Sequence, residues 1–232
     1  MSVEENTAPL SIGDSRPVRS SQLAPHHRLE RTVLRHRAHP WQEPFHAPTV
    51  AAFEALQGLL PDPLPALVID AGCGTGESTR VLAERHPDAW VIGVDRSLAR
   101  LSRGVGPSLP VLEGRCAWVR AELATFWRLA ARAGWQPRHH WLLYPNPWPK
   151  PGQLQRRWHG HPVFPVLMEW GGAMTLRCNW AVYASEFEQA VRLSGRQATT
   201  RELTTDDGLL SPFERKYRAS GHRLFEVRVA SA

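Results

Sequence analysis

The chain has 232 residues, 42% of them hydrophobic, and 28 lysines and arginines against 22 acidic residues give a formal charge of +6. That apolar content is enough for one well-cored α/β domain with appendages, and the basic balance suits a polyanionic partner. No apolar run approaches the roughly 20 residues of a membrane span, and the polar start carries no signal-peptide core. Three cysteines, Cys73, Cys116 and Cys178, fit neither a disulfide framework nor a zinc set, so a reducing cytoplasm is the expected setting and no metal is expected.

In chain order, residues 1–47 read as a basic, largely disordered N-terminal arm and 48–232 as the folded domain. Met1–Pro25 is polar and rich in Ser and Pro. His26–His46 interleaves Arg28, Arg31, Arg35 and Arg37 with five histidines, and reads as a nucleic-acid arm or a solvated basic segment. Pro48–Leu60 places Val50, Phe53, Leu56 and Leu60 at helical spacing, and Asp62-Pro63-Leu64-Pro65 breaks the chain after it. Strands are predicted at Ala66–Asp70, Trp90–Asp95, Ala117–Ala121, His140–Tyr144, Ala173–Cys178, Gln197–Leu203 and His222–Val229. Helices are predicted at Glu77–Arg85, Ser97–Arg103, Leu123–Ala133, Pro162–Trp170 and Trp180–Leu193. The alternation predicts a doubly wound, mostly parallel seven-stranded sheet with helices on both faces. Trp118, Trp127, Trp135 and Trp141 lie in apolar-patterned segments and read as core, whereas Trp148 and Trp158 stand among Pro, Lys and Arg.

Between the first strand and its helix lies Asp70-Ala71-Gly72-Cys73-Gly74-Thr75-Gly76. Glycines let a backbone approach a ligand closely, and the N–H groups of a helix start face it. Asp95 closes the next strand, where a carboxylate can accept from ribose hydroxyls. This G-x-G-x-G run with strand-end acids resembles motif I of the S-adenosylmethionine (SAM) methyltransferases, in contrast to the G-x-G-x-x-G of dehydrogenases. The resemblance implies SAM as cofactor, held by Asp70, Gly72, Gly74, Gly76 and Asp95. Glu122 either accepts from the adenine amino group or opens the next helix as a dipole-favoured acid.

After the fourth strand, Tyr144-Pro145-Asn146-Pro147-Trp148-Pro149-Lys150 forms a loop stiffened by three prolines. Asn146 offers one donor and one acceptor group, and Trp148 a flat apolar face. With Arg156-Arg157 after it, the loop resembles the P-D-P-W-x-K and R-R run of the tRNA (guanine-N7)-methyltransferases. Asn179 with Tyr183 falls where that family has T-D and a downstream Tyr, and Ser211-Pro212-Phe213-Glu214 resembles its T-K-F-E. The resemblance runs from about Ala66 to the C-terminus. It implies methyl transfer to a nitrogen of a base in structured RNA, with tRNA as partner. Asn146 and Asn179 are the implied catalytic residues, and Trp148, Lys150, Arg156, Arg157, Tyr183 and Glu214 the implied substrate contacts. Asn146 and Asn179 replace family aspartates, and Asn146-Pro147-Trp148 is also similar to the N-P-P-Y motif of amino-group methyltransferases. Two alternatives therefore stand beside the first: a methyltransferase of the same descent acting on another RNA position or a small-molecule nitrogen, and a non-catalytic SAM- or RNA-binding protein.

Overall fold

The computed structural model describes Gly13 and residues 15–231. All five residues of the strand β1, Leu67–Ala71, are buried, as a central strand covered on both faces must be. Around it the elements run α1 Leu29–Ala38, α2 Ala47–Gln57, β1, α3 Glu77–Arg85, β2 Trp90–Asp95, α4 Leu98–Val105, β3 Val111–Glu113 and β4 Cys116–Arg120. They continue with α5 Leu123–Arg132, β5 Pro137–Leu143, α6 Phe164–Glu169, β6 Ala173–Cys178, α7 Ala181–Leu193, β7 Ala198–Glu202, α8 Pro212–Ala219 and β8 Phe225–Val229. The sheet order is β3-β4-β2-β1-β5-β6-β8-β7. Pairings from β4 to β6 are parallel, while β3, β8 and β7 join antiparallel.

Side-chain alternation divides the strands between two cores. Ile69, Ile92, Val119, Leu142 and Leu176 point toward α1, α2, α5, α6 and α7 and form the main cluster. Val68, Val91 and Leu143 pack with Leu82 of α3 on the other face, and Cys116, Trp118 and Leu101 form a third cluster under α4. The doubly wound fold class agrees with the sequence reading, but the sheet has eight strands instead of seven. The added strand, β3, has only three residues at an edge, too few to show alternation. Trp118, Trp127, Trp135 and Trp141 are core residues, and the three cysteines are buried free thiols. Among the described residues no helix is long and apolar enough to cross a membrane.

The N-terminal arm differs most from its expectation. Residues 1–12 and 14 lie outside the described residues, but Leu29–Ala38 is helical and packs on α6 and α7. Leu29, Thr32, Val33 and His36 fall at i, i+3, i+4 and i+7, so one face is buried while the arginines take the other. Before the helix, residues 15–26 form no helix or strand and are fastened to the domain at a buried ionic cluster.

That cluster joins three distant segments. Arg157, His159 and Glu186 are fully buried. Glu186 accepts from Arg157 at 2.6 Å, His159 Nε2 at 2.9 Å, Gln22 Nε2 at 2.5 Å and His26 N at 2.8 Å. Arg157 also donates to the carbonyls of Trp148 and Lys150 and to Gln22 Oε1, with its guanidinium 4.9 Å over Trp180. Every acceptor site of the carboxylate is met, as burial of a charge requires. Burial opposes ionisation of Glu186, but His159 and Arg157 outweigh it and hold the carboxyl at about 2. The stabilisation is therefore complete above the unfolded carboxylate range near pH 4 and is lost as pH falls toward 2. Glu186→Gln strands the Arg157 charge and should cost about 3–5 kcal/mol. Thermal melting at pH 7 should show a drop of roughly 2–4 °C per kcal/mol, narrowing as the pH falls from 4 to 2. A variant melting with the wild type at pH 7 would show the ion pair to be dispensable.

Candidate active site

The carboxyl ends of β1, β2, β4 and β5 open on one cavity of about 570 Å³, where ligands bind in open α/β sheets. Its first wall is the turn after β1. The N–H groups of Gly72 and Cys73 donate to Val94 O, so the turn is tied to β2. Gly74 (φ +62°) donates its N–H to Asp95 Oδ2 at 3.0 Å. Gly76 (φ +81°) begins α3, where a Cβ would collide with the Trp118 indole nitrogen. Gly72 lines the cavity; Gly74 and Gly76 shape the turn behind it.

Asp95 borders the cavity with its carboxylate engaged by Gly74 N, Ser97 N at 2.8 Å and the half-exposed Arg100 at 3.1 Å. Asp70 is corrected from the cofactor-contact reading. It is fully buried beneath the turn and accepts from Ser78 and Thr79 at 2.6 and 2.8 Å, which secures the first turn of α3. Burial raises its carboxyl to about 6 against the opposing pull of those hydroxyls. Glu122 lines the cavity and also caps α5, accepting from Ala124 N and Thr125 N at 2.9 and 2.7 Å. Both of its oxygens are used in that cap, so the helix-start reading describes its geometry.

The opposite wall is the loop after β5. Tyr144 (φ +50°) and Trp148 (φ +45°) occupy the left-handed region, a strain of roughly 1–3 kcal/mol per residue that only surrounding contacts maintain. The buried Arg157 supplies them at the Trp148 and Lys150 carbonyls. Asn146 is exposed to the cavity, and its Oδ1 accepts from Trp148 N at 3.3 Å. Trp148 lines the cavity with the Arg156 guanidinium 4.9 Å from its ring. Trp158 and His161 stand behind it. His161 Nδ1 accepts from Val163 N, and burial lowers its pKa to about 4, which leaves a neutral ring with its proton on Nε2.

Four further residues are corrected. Arg157 reaches no surface and clamps the loop. Tyr183 is buried, with its hydroxyl accepting from Trp158 N. Glu214 is buried, bound to Arg177 at 2.6 Å and Leu210 N at 3.0 Å, and so anchors α8, whose Phe213 borders the cavity. Asn179 does not line the cavity; its Nδ2 meets His222 Nδ1 at 3.1 Å. Lys150 is exposed and does not line the cavity. Sequence reasoning missed Arg96, Arg100, Tyr144, His161 and Phe213. Arg96 directly follows the strand-end Asp95, and Phe213 is an exposed aromatic on a polar helix; these signals could have found them. Among the described residues no cluster of His, Cys, Asp or Glu could hold a metal.

The Asp70 environment has a measurable sign. The native state holds this proton to about pH 6 while an unfolded aspartate releases it near 4, so stability falls across that window as pH rises. The loss amounts to about 3 kcal/mol, since each pKa unit is about 1.36 kcal/mol. Asp70→Asn should abolish it, gaining on the wild type between pH 4 and 7 in urea unfolding. A constant difference across that range would place the titration elsewhere.

No family model matches the chain. Trans-aconitate 2-methyltransferase of Deinococcus radiodurans is 40% identical over 90 residues, 38% of this chain and 35% of the relative. The tRNA (guanine-N(7)-)-methyltransferase of Porphyromonas gingivalis is 27% identical over 143 residues, 60% of this chain and 56% of the relative. The chain thus spans between a third and just over half of the length of these curated relatives. Among solved structures, the 16S rRNA methyltransferase KamB superposes with a TM-score of 0.54 over 82% of this chain and 96% of that one, at 16% identity. A 16S rRNA (adenine(1408)-N(1))-methyltransferase variant with cosubstrate SAM from Catenulisporales acidiphilia gives 0.52 over 78% and 89%, also at 16%. The chain has the Rossmann-like fold of the SAM-dependent methyltransferases.

Proposed function

We propose that this protein is a SAM-dependent methyltransferase that modifies a nitrogen of a base in structured RNA. The observation that carries the reading is one cavity with two unlike walls. One wall holds the Gly72 turn and Asp95; the other holds Asn146 and Trp148. The volume suits a cofactor together with a flat acceptor group. The first wall fits the adenosyl part, because a backbone turn without side chains adjoins a carboxylate with about four acceptor sites, three of them filled here. Displacement of the half-exposed Arg100 frees Asp95 for ribose hydroxyls.

Bound SAM supplies an activated methyl group, so the protein has to position an acceptor and exclude water. Trp148 offers the stacking face, and Asn146 offers amide hydrogens and a second carbonyl lone pair to a base edge. A ring nitrogen with a lone pair needs no general base, which accords with a neutral Asn where a carboxylate would otherwise stand. Arg156 at the cavity and the exposed Lys150 two residues beyond Trp148 suit a phosphate backbone. The likeness to a tRNA (guanine-N(7)-)-methyltransferase supports guanine N7 in tRNA as the finer assignment. A small carboxylate substrate is the second reading. It is favoured by the trans-aconitate 2-methyltransferase relatives and by Arg96, Arg100 and Arg156 around the cavity.

Comparing modified nucleosides by mass spectrometry in cells with and without the gene separates the two. Loss of one methylated base supports the RNA reading; an unchanged RNA profile with methyl transfer to a tricarboxylate supports the second. Asp95→Ala should weaken SAM binding by about 1.5–3 kcal/mol in calorimetry, and unaltered affinity would remove Asp95 from the site. Asn146→Ala should lower turnover at least tenfold while SAM affinity stays constant. Full turnover would assign acceptor positioning to another residue.

A further inference from the structure

The N-terminal segment is tied to the loop after β5 and to the turn after α8. Ser15 is fixed at the end of α8: its N–H donates to Ser220 Oγ at 3.1 Å, and its carbonyl lies 2.9 Å from His222 Nε2. Ser20 is fixed to the loop that carries Asn146 and Trp148, donating to Pro149 O at 2.5 Å. Gln22 then enters the buried Arg157–Glu186 cluster. The span between these anchors is Arg16-Pro17-Val18-Arg19. Proline holds its preceding neighbour extended, and Val18 packs on the core while Arg16 and Arg19 remain exposed. Neither arginine forms an ion pair among the described residues.

The hydrogen bonds also fix an order of donors. Asn179 can reach His222 Nδ1 only with its amide N–H, so His222 carries its proton on Nε2 and donates it to Ser15 O. The strap is thereby joined through one relay to the end of β6 and through Ser20 to the end of the β5 loop.

We propose that Arg16 and Arg19, on the strap Ser15–Gln22 fastened beside the loop of Asn146 and Trp148, bind backbone phosphates of the RNA substrate. The inference rests on the RNA reading given above. Two cations on a backbone anchored to Pro149, next to the exposed Lys150 and in the same loop region as Arg156, add positive charge there with no paired acid on the strap. Such an array matches a phosphate backbone, which contacts many side chains at once, better than it matches a single small anion.

The test uses the full chain with Arg16→Ala and Arg19→Ala together, titrated against bulk tRNA and against total rRNA over a range of salt. Both side chains are exposed, so the fold is not at risk. A control, Arg132→Ala with Arg192→Ala, removes equal charge from the ends of α5 and α7, at the opposite edge of the sheet. The strap variant should lose about tenfold in affinity at 0.15 M salt and about 1.5–2 from the slope of log K against log salt. The control should keep the slope, and SAM affinity should be unaltered in both. Wild-type binding to RNA with an undiminished slope in the strap variant overturns the strap inference and leaves the RNA reading standing. Equal losses in strap and control variants overturn it as well, because net charge alone then explains them. No binding of the wild type to either RNA at low salt overturns both readings together.

Discussion

A buried guanidinium is tolerated only where its donors find acceptors, and the loop facing the cavity depends on how Arg157 meets that demand. Its partners are the Glu186 carboxylate, the Gln22 amide and the carbonyls of Trp148 and Lys150. The loop residues Tyr144 and Trp148 adopt left-handed backbone conformations that side chains disfavour. Prolines make this segment stiff, but stiffness does not select its position. The ionic cluster does so by holding two of its carbonyls from behind. Because Glu186 also accepts from Gln22 and His26, the same carboxylate seats the N-terminal segment against the domain.

On the other side of the cavity the organising groups are two strand-end carboxylates in unlike surroundings. Asp70 is sealed beneath the glycine turn, where burial favours its proton. Asp95 lies one strand over, reaches the cavity and is met by two backbone N–H groups and Arg100. One aspartate therefore builds the turn while the other borders the cavity. The division follows from position: Asp70 lies in the central strand, roofed by the turn and by α3, whereas Asp95 stands where β2 hands over to α4. With Glu122 committed to its helix cap, Arg96, Arg100 and Arg156 leave the cavity basic on balance.

Much of the cavity was legible in contiguous sequence because its parts are local devices. Glycines at alternate positions between a buried strand and a helix describe a turn wherever they occur. Ser97, Glu122 and Ser211 sit at helix starts and cap them. The proline-rich loop at the end of an apolar strand points to the carboxyl edge of the sheet, and Asn146 and Trp148 do line the cavity there. The weaker elements were those whose signal is short or diluted. β3 has three residues, and the apolar stripe of α1 is interrupted by arginines on the opposite face.

What the sequence by itself determined is therefore the alternating α/β architecture, the glycine turn and its strand-end acids, and the aromatic, proline-rich loop facing them. Each is encoded by neighbouring residues whose backbone preferences and periodicity act over a few positions. The fate of the charged and polar residues was decided only by the tertiary structure. Arg157 and Glu186 are 29 positions apart, and Gln22 and Glu186 are 164 apart. Arg157 beside Arg156 looks like a second surface cation, Glu214 like a surface acid, and Asn179 like a partner of Asn146. Whether such a group meets water or a buried counter-charge depends on what the fold brings against it. A buried ion pair needs both charges in place, and no stretch of sequence around either one records the other.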